Sequence, residues 1–306
     1  MIEYVEVGVG SRKVSVRLAE ATFLVGTGKS LFLEILHKVV SGVGKKLPRL
    51  GGDWGLYIQS GDVSYSVATS RGRIRQSVSV KGEEAVFEYI PAKPVHRLIK
   101  PIEMAVTSAD VIMPEVNTEE HVSVVAEEDI ERLNRLVEVA RKRLGVKTQM
   151  LGPYVSPRSL IDANARLTSL DRHGRNLAGV LSYLSLRKPT SYDAVKTAFR
   201  KIGFSVAVGL AKPGKIGVVV STRDLKMPLS KAPCSAKSFL VIATALELKP
   251  DLFLVDNFDY CLTRKTAEAL AALLRQKPTK LIAEIHNEEV AEWLDIPNKS
   301  VVEVKL

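Results

Sequence analysis

The 306-residue chain is 46% hydrophobic and 25% charged, the make-up of an ordinary globular protein with ample material for a core, which excludes a disordered or collagen-like chain. Its net charge of +10 favours a polyanionic partner. The two cysteines, Cys234 and Cys261, are too few for a disulfide framework, and no Cys/His cluster has metal-ligand spacing, a usage that suits a reducing cytoplasm.

Polar and apolar residues alternate from Glu3 to Val9 and from Lys13 to Leu18, a strand pattern. The β-rich run Ala21-Thr22-Phe23-Leu24-Val25 predicts a buried strand, which ends in Gly26-Thr27-Gly28-Lys29-Ser30 and passes into Leu31–Leu36, apolar at helical spacing. Residues 37–53 read as a basic, Gly-containing loop. Leu56 to Ile90 alternates around turn signals at Gly61, Gly72 and Gly82, predicting an antiparallel meander, and Pro91, Pro94 and Pro101 punctuate a connector. Residues 127–144 predict a charged amphipathic helix stopped by Gly145. Further helices are expected near 159–170, 174–186 and 190–202, then two strands around Lys212-Pro213-Gly214 and a buried helix from Ser235 to Leu248. The tail repeats strand and helix: Leu252–Val255, Arg264–Leu274, Leu281–Ile285, Glu288–Leu294, and a last strand at Val301–Val304. That rhythm implies a largely parallel sheet with covering helices. No signal-peptide pattern opens the sequence, and no apolar run reaches the roughly 18–20 residues of a membrane span.

The charge has an address. Residues 151–250 carry +11 (16 Lys and Arg against 5 Asp and Glu), residues 1–150 only +2, and residues 251–306 carry −3. This segment is either a solvated basic face or a surface for phosphates; Arg172, Arg175, Lys196 and Arg200 are its candidate nucleic-acid contacts. Aromatics do not interleave with the basic runs, so a base-stacking single-strand platform is not indicated.

Three segments could carry chemistry. A strand, a Gly-rich turn, Lys-Ser and a helix are the context of a phosphate-binding loop, in which backbone N–H groups and the helix N-terminus meet a phosphate, the lysine meets its oxygens and the serine ligates Mg²⁺. The usual G-x-x-x-x-G-K-[ST] spelling is missed, because the position five before Gly28 is Phe23; counted from Gly26, the loop is three residues short. The bland alternative is a tight turn with an exposed lysine. The strand Leu252–Val255 ends in Asp256-Asn257, which reads as a carboxylate that supports Mg²⁺ or as a helix-capping acid. The strand Leu281–Ile285 ends in His286, a sensor of phosphate or a structural histidine.

Taken in order, these segments resemble ABC-type ATPases of the SMC/RecF/OLD-like branch. Val9-Gly10-Ser11-Arg12-Lys13, Leu151-Gly152-Pro153-Tyr154-Val155-Ser156-Pro157-Arg158 and Asp171-Arg172-His173-Gly174-Arg175-Asn176-Leu177 are similar to elements of the same branch. The resemblance implies one α/β domain over 1–306: a three-layer head with an antiparallel β meander and a helical lobe inserted between the phosphate loop and Walker B. Its sub-regions would be an N-terminal β and phosphate-loop lobe (1–100), the helical insertion (101–203) and a signature, Walker B and His-switch lobe (204–306). It further implies ATP and Mg²⁺ as cofactors. Gly26, Thr27, Gly28, Lys29, Ser30 and Arg12 would hold nucleotide, Ser30 and Asp256 the metal, and Asp256, Asn257 and His286 would face the reacting phosphate. Ser235 stands opposite the signature serine, with Ala236 where glycine is expected, and a homodimer around two ATP molecules follows by analogy.

Asn257 replaces the family's catalytic Glu and cannot take a proton from water; Asp259, Glu284 or Glu288 could stand in for it. The short loop, the missing Glu and the altered signature imply slow hydrolysis or none. The resulting expectation is a cytoplasmic, nucleotide-gated ATPase working on DNA in maintenance, repair or defence. The alternative is a dead-site adaptor that binds nucleic acid or protein without nucleotide. A small-molecule kinase fits poorly, since no acceptor-substrate site is visible.

Overall fold

The computed structural model describes residues 2–43, 47, 51–90, 96–100, 104–106, 127–163 and 168–306. Among them the chain runs β1 (Tyr4–Val9), β2 (Arg12–Arg17), β3 (Ala21–Thr27), α1 (Lys29–Val40), β4 (Trp54–Ser60), β5 (Val63–Ser70), β6 (Arg73–Val80), β7 (Glu83–Tyr89), β8 (His96–Lys100), β9 (Met104–Val106) and α2 (Glu127–Leu144). It continues with β10 (Thr148–Leu151), β11 (Leu160–Asp162), α3 (Leu177–Arg187), α4 (Pro189–Lys201), β12 (Ser205–Lys212), β13 (Lys215–Ser221), β14 (Lys226–Pro228) and α5 (Cys234–Glu247). It ends with β15 (Leu252–Val255), α6 (Arg264–Leu274), β16 (Lys280–Glu284), α7 (Glu289–Trp293) and β17 (Lys299–Lys305). Two compact units result: one comprises Met1–Leu18, Glu34–Lys147 and Val304–Leu306, the other Ala19–Leu33 and Thr148–Glu303.

The first unit is built on an eight-stranded sheet in the order β2-β1-β4-β5-β6-β7-β8-β9, antiparallel throughout. Period-2 alternation puts Val5, Val7, Leu56, Ile58, Tyr65, Val67, Ile74 and Val78 on its buried face. The amphipathic α2 covers part of that sheet, where Leu133 and Val137 pack with Ala85 and Phe87.

In the second unit, a five-stranded sheet has the order β10-β15-β16-β3-β17, with β10, β15, β16 and β3 parallel. Because these strands are covered on both faces, they read as unbroken apolar runs such as Leu252–Val255. Helix α5 is the core of this unit, with every residue from Ser238 to Glu247 buried. Phe239 stacks with Phe199 of α4 at 6.1 Å between ring centroids. A smaller antiparallel sheet, β11-β13-β12 with β14 paired to β13, adjoins α3 and α4. The chain is thus a mixed α/β protein whose meander and parallel sheet follow the sequence pattern.

Three local expectations are corrected. The helix expected near 159–170 is strand β11, where Leu160, Ile161 and Asp162 pair with Gly217, Ile216 and Lys215; the β-branched Ile161 and the Asp162–Lys215 ion pair suit a ladder better than a helix. Residues 164–167 lie outside the described residues, as do Pro91, Pro94, Pro101 and residues 44–46 and 48–50 of the loop expected at 37–53, of which α1 takes the first four. Cys234 and Cys261 are joined in a disulfide, so the sparse cysteine usage does not mean free thiols. No helix among the described residues is long and apolar enough to cross a membrane.

Gly152 shows how tightly the parallel sheet is finished at its C-terminal edge. Its φ is +112°, in the region that favours glycine, and a Cβ there would fall against the Asp256 carbonyl oxygen and 2.7 Å from the Asp256 Cβ. A Gly152→Ala substitution should lower stability by at least about 3 kcal/mol, read as a fall in the urea midpoint at unchanged slope.

Candidate functional site

Parallel strands deliver their loops to one edge, and the crevice outside their C-terminal ends is where such sheets place ligands. At that edge β3 ends at Thr27, β15 at Val255 and β16 at Glu284, so Lys29, Ser30, Asp256, Glu284 and His286 converge from segments more than 220 residues apart. The turn from β3 into α1 is a single residue, Gly28 (φ +81°), whose carbonyl accepts the first helical hydrogen bond from Phe32 N–H at 3.0 Å. Strand and helix have consumed the segment that would otherwise be a phosphate loop. Gly26 (φ +95°) and Thr27 lie within the end of the strand.

Lys29 is not the exposed lysine of a simple tight turn. It is 7% exposed, donates to the Ile285 carbonyl at 3.1 Å and lies 3.4 Å from Glu284 Oε1. Ser30 Oγ sits 2.9 Å from Asp256 Oδ1 and 3.0 Å from Glu284 Oε2. One hydroxyl hydrogen cannot serve both oxygens. Burial, and then the neighbouring Asp256, hold the Glu284 carboxyl above the usual carboxylate range. Ser30 can therefore donate to only one of the two carboxyl groups at a time. Asp256, itself buried, receives Arg172 Nη2 on its other oxygen at 3.3 Å, and Arg172 Nε donates to the Gly152 carbonyl at 2.9 Å.

His286 stands at the end of β16 with an exposed ring, Nε2 3.6 Å from Glu284 Oε1 and Nδ1 3.4 Å from Asp259 Oδ1. Asp259 holds the backbone as well: its Oδ2 accepts from the amides of His286 at 2.7 Å and Asn287 at 2.8 Å. Asn257 occupies the turn after Asp256 in a left-handed conformation (φ +59°), and its carbonyl accepts from Tyr260 N–H. Tyr260 packs edge-on against Tyr154 at 5.1 Å.

The remaining predicted residues lie on other elements. Ser235 lies in the first turn of α5. Arg12 is on β2 of the first unit and donates to the Leu306 carbonyl. Of the four expected nucleic-acid contacts, Arg172 is turned onto Asp256. Lys196 pairs with Asp193 and lies over the Tyr192 ring at 5.3 Å, whereas Arg175 and Arg200 are exposed. The Asp171 segment is a folding device: its carboxylate accepts from the amides of His173, Arg175 and Asn176, and Gly174 (φ +66°) lets the chain pass against Val241.

Sequence reasoning admitted Glu284 only as a stand-in base, and it read Arg172 as a surface cation. The signal for Glu284 was present, since a carboxylate inside the apolar run Leu281–Ile285 demands a buried partner. Arg172 left no such sign.

The residues suit a magnesium ion. Ser30 Oγ and Asp256 Oδ1 are hydrogen-bonded at 2.9 Å, a separation also compatible with two neighbouring oxygens on an octahedral Mg²⁺ bound at 2.0–2.1 Å, which lie about 2.9 Å apart. A phosphate is met less well, because Lys29 must first leave Glu284 and the Ile285 carbonyl. No group of three or more His, Cys, Asp or Glu with metal-binding geometry occurs among the described residues.

No family model matches the chain, and no curated protein matches it. Among solved structures it is similar to an SMC head domain from Thermotoga maritima, at 14% identity and a TM-score of 0.45 over 99% of this chain and 94% of that one. An SmcHead bound to the C-winged helix domain of ScpA gives 14% identity and 0.48 over 100% and 94%. The Smc head with an extended coiled coil, bound to the C-terminal domain of ScpA from Pyrococcus furiosus, gives 11% and 0.42 over 96% and 92%. Family membership does not follow from overlaps of this size.

The raised carboxyl sets a pH dependence. Between the ordinary carboxylate range and its raised value, Glu284 binds more protons folded than unfolded, so stability falls as pH rises through that window. In metal-free buffer the urea midpoint of the wild type, taken relative to Glu284→Gln, should therefore decline from acid towards neutral pH. A flat difference would place the Glu284 carboxyl in the ordinary range.

Proposed function

We propose that this protein is an ABC-type nucleotide-binding head of the SMC/RecF-like kind, which binds Mg-ATP weakly and turns it over slowly or not at all. The observation that carries this reading is the Ser30–Asp256 pair, two oxygens from opposite ends of the sequence held at the spacing of adjacent magnesium ligands. When bound, the metal would neutralise charge on the phosphates. This chain's own residues would do the rest. Lys29, released from Glu284, meets phosphate oxygens, and the N-terminus of α1 faces them with its unpaired amides. Asp259 fixes the backbone of His286 so that the exposed ring stands over the site. Asn257 can orient a water and cannot deprotonate it, so nucleotide acts as a binding switch more than as fuel. A homodimer and DNA contact through the basic 151–250 segment belong to the same proposal; Arg175 and Arg200 are the exposed cations that would meet phosphates.

A second reading has one observation in its favour. Lys29 is already engaged by Glu284 and the Ile285 carbonyl, the arrangement expected if the site is a self-contained ion-pair cluster and the protein is a nucleotide-independent adaptor.

Nucleotide titration separates the two. Wild type should bind Mg-ATP, Lys29→Ala should not, and Glu284→Gln should bind about tenfold or more tightly, because it removes the competing anion. Asn257→Glu should raise turnover at least about tenfold. No binding at millimolar Mg-ATP by either wild type or Glu284→Gln would establish the adaptor. DNA binding, in turn, should weaken steeply with salt and on charge reversal at Arg175 and Arg200, while charge reversal at Asp251 leaves it unchanged.

A further inference from the structure

The disulfide joins the two segments that border the site on its β15 side. Cys234 is the first residue of α5, and Cys261 lies in the loop that begins at Asp256, with 5.6 Å between their Cα atoms. Both cysteines are half-buried, not enclosed in the core.

Without the bond, each end has little to hold it. The N-cap position of α5 is Pro233, and no side chain caps the first turn, leaving amides there to fray. The loop is anchored at its start: Asp256 N–H donates to the Leu151 carbonyl, Phe258 N–H to the Glu284 carbonyl, and Phe258 is buried. Its later part makes two local turn bonds, from Tyr260 N–H to Asn257 and from Leu262 N–H to Asp259, and is otherwise held through the Asp259 side chain and the Tyr154–Tyr260 ring contact. Both Asn257 and Cys261 are non-glycine residues in the left-handed region, with φ of +59° and +62°, a conformation that persists where the surroundings impose it. Between them lies Asp259, the residue that fixes the amides of His286 and Asn287.

We propose that the Cys234–Cys261 disulfide is a redox latch on the 256–262 loop. Closed, it pins Asp259, and through it the end of β16, while securing the uncapped first turn of α5 with Ser235. It opens by exchange with a dithiol reductant of the thioredoxin class. One reductant thiolate attacks a protein sulfur and the S–S bond breaks; the second reductant thiol resolves the mixed disulfide. The reductant leaves as its own disulfide, and two electrons and two protons end on Cys234 and Cys261 as thiols. With the latch open the loop relaxes from Tyr260 onward, Asp259 loosens its hold on His286, and α5 frays at its start. The consequence for nucleotide rests on the reading of the site given above; the mechanical consequence does not.

Peptide mapping after alkylation, without reductant, should yield a cross-linked Cys234–Cys261 peptide. Hydrogen exchange is then compared for the oxidised protein, the protein in excess dithiothreitol, and Cys234→Ser/Cys261→Ser. Reduction should speed exchange at Lys237, whose amide donates to the Pro233 carbonyl, and at Ser238, His286 and Asn287 about tenfold or more and leave β3 and β16 interior amides unchanged. The double variant should match the reduced protein and ignore dithiothreitol. Free thiols after mild oxidation, or equal exchange at those four amides in both states, would overturn the latch. Faster exchange together with no ATP binding in either state supports the latch and removes only the nucleotide reading.

Discussion

A buried charge cluster at the C-terminal edge of a parallel sheet governs much of this molecule. Lys29, Glu284 and Asp256 are buried together, and the partly exposed Arg172 reaches in to Asp256; a buried charge of this kind is costly without a partner. Each is satisfied by a neighbour from a distant part of the chain, so the cluster ties the turn after β3, the ends of β15 and β16 and the 171–177 segment into one arrangement. The Ser30 hydroxyl lies between two carboxyl groups, and burial together with the neighbouring Asp256 raises the Glu284 carboxyl above the usual range.

That economy explains why the site departs from a full phosphate loop. A long loop would hold a nucleotide with backbone amides and leave the lysine waiting for its anion. Here the strand and helix close to a single residue at Gly28, and an internal carboxylate has taken the lysine. Any incoming anion competes with an ion pair that is already formed and desolvated. The site is therefore built for conditional occupancy, with the Lys29–Glu284 contact as the condition.

The sequence made the strands and most helices legible because burial leaves a periodic trace. The meander from Trp54 to Tyr89 alternates, the runs at Leu252 and Leu281 do not, and both patterns report how many faces are covered. The residues of the cluster were legible one at a time: a Lys-Ser turn, an acid at a strand end, a histidine at another. What could not be read was who pairs with whom. Arg172 resembled any surface cation in a basic segment, and its attachment to Asp256 across 84 residues depends on the loops folding against each other. Cys234 and Cys261, likewise, carry no local mark of pairing, since only the packing of α5 against the 256–262 loop sets their distance. Leu160–Asp162 failed for a related reason: a three-residue segment has too little periodicity to declare a strand, and its partner on β13 made the choice.

The close approach of Gly152 to Asp256 has a consequence beyond stability. With no space between the two loops and Arg172 bonded to both, neither can shift while the other stays. The two tyrosines that follow them, Tyr154 and Tyr260, lie edge to face at the outer surface. Tyr260 lies beyond the anchored start of its loop, so the ring pair stands where the tightly fitted Gly152–Asp256 crossing opens into the exposed part of both loops.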